Sequence, residues 1–103
     1  MNSIVRDKAR EVAEICRRRQ VLRLSVFGSV TSSSFDRASS DLDFVVEFYH
    51  LTPAAHADSY FGLQDDLERL FGCPVDLVEP GPIRNPYFRQ AVEQTQVLVY
   101  AAP

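Results

Sequence analysis

Residues 22–48 read LRLSVFGSVTSSSFDRASSDLDFVVEF, two apolar runs around a loop that opens at Gly28-Ser29 and closes at Asp41-Leu42-Asp43. Leu22, Leu24 and Val26 alternate with Arg23, Ser25 and Phe27, which predicts a strand with one buried face. The second run predicts another strand, with Leu42, Phe44, Val46 and Phe48 on one face and Asp41, Asp43, Val45 and Glu47 on the other. Residues two apart on a strand point to the same side, about 6.5 Å from one another. Asp41 and Asp43 therefore converge on one patch. Two carboxylates so placed repel unless a cation sits between them, and hard oxygen ligands favour Mg²⁺ or Mn²⁺. Gly28 and Ser29, at the end of the first strand, offer backbone N–H groups and a hydroxyl to a phosphate. Separately, a Gly-Ser is most often a turn and an Asp-x-Asp a solvated face. In this order, on successive strands, they point to a nucleoside triphosphate.

Upstream, Asn2 or Ser3 can cap a helix reaching to about Gln20, with Val5, Ala9, Val12 and Cys16 as its buried stripe. Arg17-Arg18-Arg19 falls in its last turn, where cations complement the helix dipole. Downstream, Thr52-Pro53 is a helix start and Gly72 with Pro74 a stop. Between them Tyr60, Leu63, Leu67, Leu70 and Phe71 form an apolar stripe, with Asp65, Asp66, Glu68 and Arg69 expected in solvent. Residues 73–78 predict a third strand, with Asp76 and Val78 on one face and Val75 and Leu77 on the other. A compact α/β unit would set this strand beside the one carrying Asp43, which makes Asp76 a third candidate carboxylate. A short helix from Asn85-Pro86, with Phe88, Ala91 and Val92 inward, and a final strand over Val97-Leu98-Val99-Tyr100 complete the expectation.

The 103 residues suit one domain with one modest core, and 46% apolar with 11% aromatic content fits a globular chain. No apolar run approaches the ~20 residues of a membrane span, and the N-terminus lacks an apolar signal core, so a cytoplasmic location is expected. A net charge of −3 argues against general binding to a nucleic-acid backbone. Cys16 and Cys73 have no companion ligands at zinc spacing and read as reduced thiols. His50 and His56 read as solvent-exposed and structural rather than as ligands.

Phe27-Gly28-Ser29, an eleven-residue spacer and Asp41-Leu42-Asp43-Phe44 resemble the signature of the DNA polymerase β-like nucleotidyltransferase superfamily. Within it the chain most resembles the minimal nucleotidyltransferase (MNT-domain) antitoxins, whose partners are HEPN-domain toxins. The similarity runs from the N-terminal helix through Val75-Asp76-Leu77-Val78 to Ile83-Arg84-Asn85-Pro86. It implies an α/β (α+β) fold, a small mixed sheet flanked by helices. It also implies that Asp41 and Asp43 bind two divalent ions with Asp76 completing the site, while Gly28 and Ser29 hold the terminal phosphates of ATP. Such proteins transfer AMP from ATP to a tyrosine hydroxyl of the HEPN ribonuclease. One departure stands out: relatives commonly carry an arginine just after the Gly-Ser, where this chain has Val30-Thr31-Ser32-Ser33-Ser34, and Arg37 is the sole cation of the spacer. An antitoxin that acts by contact alone, or a small-molecule transferase, are the alternatives; the second needs a substrate domain that 103 residues scarcely allow.

Overall fold

A computed structural model describes residues 3–27, 42–80, 86, 90, 93–94 and 96–103. Gly28, Ser29, the spacer and Asp41 lie outside the described residues, as do Asn85, Phe88, Ala91 and Val92 of the short helix expected there.

The first helix is two. α1 (Ser3–Arg6) ends where the Lys8 N–H donates to the Val5 carbonyl at 3.1 Å, and α2 (Ala9–Arg18) begins as the Lys8 carbonyl accepts from Val12 at 2.9 Å. Ala9 is consequently exposed, and Ile15 joins Val12 and Cys16 in the buried stripe. Gln20, with φ 61° in the left-handed region, turns the chain straight into β1 (Val21–Phe27). Val21 pairs with Phe48 and Arg23 with Glu47, so two steps on β1 match one on the partner strand. Leu22 is the extra residue of a β-bulge. The bulge resets the alternation: Val21, Leu24 and Val26 are buried, and Leu22, expected inside, is 39% exposed.

β2 (Leu42–Phe48) keeps the expected faces, with Leu42, Phe44 and Val46 fully buried. α3 (Pro53–Phe71) starts at Thr52, whose Oγ1 accepts from the Ala55 N–H at 3.3 Å, and stops at Gly72, which takes the left-handed φ of 70° that glycine adopts without strain. β3 (Val75–Val78) pairs parallel with β2; β1 pairs antiparallel with β2 and with β4 (Val97–Ala101), giving the order β3-β2-β1-β4. The sheet is mixed, as expected. Its inward face meets α2 and α3 in one core, Phe44 lying 6.2 Å from Phe71 between ring centroids. No helix among the described residues is long and apolar enough to cross a membrane.

Two of the charges expected in solvent, Asp66 and Glu68, are tied down. Asp66 accepts from Arg19 Nε at 2.8 Å and from Arg18 Nη2 at 3.3 Å, fastening α3 to the end of α2. The basic run therefore serves a structural end. Arg19 reaches Asp66 across Gly62, where a Cβ would come within 2.5 Å of the guanidinium. Its hydrogen bond lowers the Asp66 pKa; burial opposes that and Arg18 adds to it. Stability from this group is thus fully present above the unfolded carboxylate pKa and is lost as pH falls through the lower folded value. Gly62→Ala should raise helix propensity by about 1 kcal/mol while pushing Arg19 off Asp66, a loss of about 1 kcal/mol for a partly exposed pair. The melting temperature should hardly move, and the Asp66 pKa should rise toward the ordinary ~3.9. NMR titration of Asp66 in both proteins checks this, and an Asp66 pKa that the substitution leaves in place would contradict it.

Neither cysteine is in a disulfide; burial pushes the Cys16 thiol up to about 12, so it stays protonated and inert. His56, expected in solvent, is part-buried: Nε2 lies 2.8 Å from Glu79 Oε1, and its ring packs 5.2 Å from Phe48, tying the end of β3 to the start of α3.

Candidate active site

Parallel pairing of β2 with β3 sets Leu42 against Val75, Asp43 against Asp76 and Phe44 against Leu77. Because Phe44 and Leu77 are buried against the helices, alternation turns Asp43 and Asp76 to the opposite face, side by side on strands about 4.8 Å apart. Asp43 is half-buried and Asp76 exposed. Two residues further on, Val45 faces Val78, and Phe27, the partner of Asp43 on β1, joins them in a small apolar cluster. The carboxylates therefore stand at the edge of an apolar floor, where charge interactions are stronger than in open water. A cavity of about 420 Å³ is lined by Phe27, Asp43, Tyr60, Gln64, Asp76, Leu77 and Val78.

Two expected site residues are thus brought together, Asp43 and Asp76. Asp41, Gly28 and Ser29 lie outside the described residues. Among the described residues no cluster of three or more Asp, Glu, His or Cys could hold a metal ion. The pair supplies oxygen donors alone, a chemistry that suits hard divalent cations such as Mg²⁺ or Mn²⁺.

The residues that sequence reasoning passed over come from α3. Tyr60 was expected only as part of the apolar stripe, Glu68 was expected in solvent, and Gln64 carried no expectation. Tyr60 Oη donates to the Leu77 carbonyl at 2.7 Å, Gln64 Nε2 donates to the Val75 carbonyl at 2.9 Å, and Glu68 Oε2 accepts from the Val75 N–H at 2.9 Å. Burial first, then the charges of Glu79 and Asp76, raise the Tyr60 pKa, which keeps the phenol protonated as a donor. Three hydrogen-bonding side chains spaced four apart beside Leu63 and Leu67 are the signal that was there to read: a second helical stripe, polar and aimed at backbone.

A family model for the nucleotidyltransferase domain matches residues 9–99. The chain is 35% identical to a protein of Methanocaldococcus jannaschii named "Putative protein adenylyltransferase", over 94% of this chain and 96% of that one. A solved structure, "Structure of putative minimal nucleotidyltransferase", superposes with a TM-score of 0.69 at 32% identity, covering 94% of this chain and 95% of that chain. The tri-AMPylated Shewanella oneidensis HEPN toxin in complex with MNT antitoxin matches with a TM-score of 0.62 at 17% identity, over 95% of this chain and 73% of that chain, a likeness of fold.

Proposed function

Because this chain belongs to the nucleotidyltransferase domain family, we propose that it acts as one minimal domain, an antitoxin that transfers AMP from ATP to a tyrosine of a HEPN-domain ribonuclease. The observation that carries this reading is the in-register Asp43–Asp76 pair at the cavity. Covalent continuity supports the rest: Gly28 follows Phe27, the Cα partner of Asp43, and Asp41 precedes Leu42, the Cα partner of Val75. Gly28 is one peptide bond from the cross-strand partner of Asp43, and Asp41 is two peptide bonds from Asp43 itself. The protein acceptor is supported by the name of the Methanocaldococcus jannaschii relative and by the AMPylated toxin in the structural neighbour.

In the reaction, the phenol oxygen bonds to the α-phosphorus of ATP as the bond to the pyrophosphate oxygen breaks. Asp41, Asp43 and Asp76 would hold divalent ions such as Mg²⁺, which supply charge to stabilise the leaving pyrophosphate. Asp76, the exposed carboxylate of the described pair, would take the phenol proton. Gly28 lets the backbone approach a phosphate closely, and Ser29 adds a hydroxyl donor. Phe27 and Val78 supply apolar walls on one side of the carboxylates.

A trace of this chain, mixed with ATP, Mg²⁺ and an excess of its HEPN-domain partner, should silence the ribonuclease. The partner should gain mass in AMP-sized steps on a tyrosine and stay inactive once the antitoxin is removed. Protection only at binding stoichiometry, with the partner's mass unchanged, would overturn the transfer reading in favour of inhibition by contact.

A further inference from the structure

Among the described residues β3 is an edge strand, and an edge strand exposes every second residue's N–H and C=O. The Pro74 carbonyl accepts from the Leu42 N–H, so the backbone groups of residues 74 and 76 face β2 and those of Val75 and Leu77 face outward. Those outward groups are the ones α3 takes: both polar groups of Val75 and the carbonyl of Leu77. Tyr60, Gln64 and Glu68 span about 12 Å along one stripe of the helix. Among the described residues, a side-chain ladder thus takes the place of a neighbouring strand along this edge. Its consequence falls on the residue between. Asp76 is held by β2 on one side, while the residues before and after it are clamped by α3 on the other.

We propose that Glu68, with Tyr60 and Gln64, forms a positioning ladder that fixes the Asp76 carboxylate opposite Asp43 for cation binding. This rests on the metal-dependent reading given above. Glu68 isolates the effect, because it does not line the cavity and acts only through the Val75 N–H. Without the ladder, the outward backbone groups of β3 lose their hold on α3, and although Val75, Leu77 and the His56–Glu79 contact still anchor the strand, the spacing of the two carboxylates can spread. Outer partners that orient metal ligands matter for this reason: they remove freedom that the ion would otherwise have to remove on binding.

The test is a titration with Mn²⁺ alone, followed by electron paramagnetic resonance, on the full chain and the variants Asp76→Asn, Glu68→Leu, Glu68→Gln and Tyr60→Phe. Melting curves in the absence of metal run beside it. Asp76→Asn should lose binding. Glu68→Leu and Tyr60→Phe should each weaken Mn²⁺ by about tenfold, the low end for partners that orient a ligand. Glu68→Gln keeps an oxygen to accept from the Val75 N–H and should bind like the parent chain. A purely structural ladder would lower melting temperatures but leave Mn²⁺ affinity of the folded protein unchanged. That result, with Asp76→Asn still losing binding, overturns the positioning proposal and leaves the metal reading standing. Equal Mn²⁺ binding by the parent chain and Asp76→Asn would overturn the metal reading itself. Tyr60→Phe deletes one hydroxyl and nothing else, so the test survives even if Glu68→Leu fails to fold.

Discussion

Replacing Asp43 and Asp76 together by asparagine should abolish the proposed AMP transfer while the protein stays folded. Asparagine keeps the size of aspartate and some of its hydrogen bonding but removes the negative charge. Without that charge the pair can neither hold a divalent cation nor take a proton from an attacking hydroxyl. Removing one preorganised electrostatic contact typically costs about a hundred- to a thousandfold in rate, so losing two should drop transfer by about a thousandfold or more. The fold should be indifferent or slightly helped. The two side chains are in register on neighbouring strands, an arrangement in which like charges destabilise. Incorporation of labelled AMP into the partner, read beside a melting curve, gives both quantities. Transfer by the double variant at the parent rate would remove the carboxylate pair from the mechanism.

Phe44→Ala should be the most damaging single change to stability, at about 3–5 kcal/mol. Phe44 is fully buried at the centre of the sheet's inward face and packs against Phe71 at the end of α3. Truncation leaves a cavity that the surrounding strand cannot close, because β2 is paired on both sides. A domain of this size has about 5–15 kcal/mol in all, so a large share disappears. At about 4–8 °C per kcal/mol, the melting temperature should fall by tens of degrees. Phe71→Ala added to it should cost less than the sum of the two, since residues in contact couple. Urea denaturation of the four proteins measures this, and a loss below about 1 kcal/mol for Phe44→Ala would contradict the core described here.

Much of this molecule is legible in the chain because short-range geometry dictates it. Period-2 alternation over Leu42–Phe48 identified β2 and its two faces, since side chains on a strand point alternately whatever the strand pairs with. Thr52-Pro53 and Gly72 marked the ends of α3 through the same local rules of capping and left-handed backbone. The placing of Asp76 beside Asp43 followed from connection rules, and the mixed sheet from the family resemblance. Leu22 was misread because a bulge is decided by the pairing of two strands, and Val21 took the inward place that alternation within one strand had assigned to its neighbour. The break at Lys8, likewise, is not written in the helical spacing of Val5 and Val12, which a continuous helix would share.

The charged residues of α3 mark the limit most plainly. Composition sends Asp66 and Glu68 to solvent, because a carboxylate without a partner belongs in water. Only the packing of α3 across α2 and along the edge of β3 supplies those partners, a pair of guanidinium groups for Asp66 and a backbone N–H for Glu68. The sequence by itself determined β2, α3 and β3 with their buried faces, and nominated the acidic residues for chemistry. The tertiary structure decided which strand was left with an open edge, and therefore which helix side chains had to complete its hydrogen bonds. The physical reason is that faces follow from the local repeat of the backbone, whereas an unpaired edge exists only once the whole sheet has chosen its order.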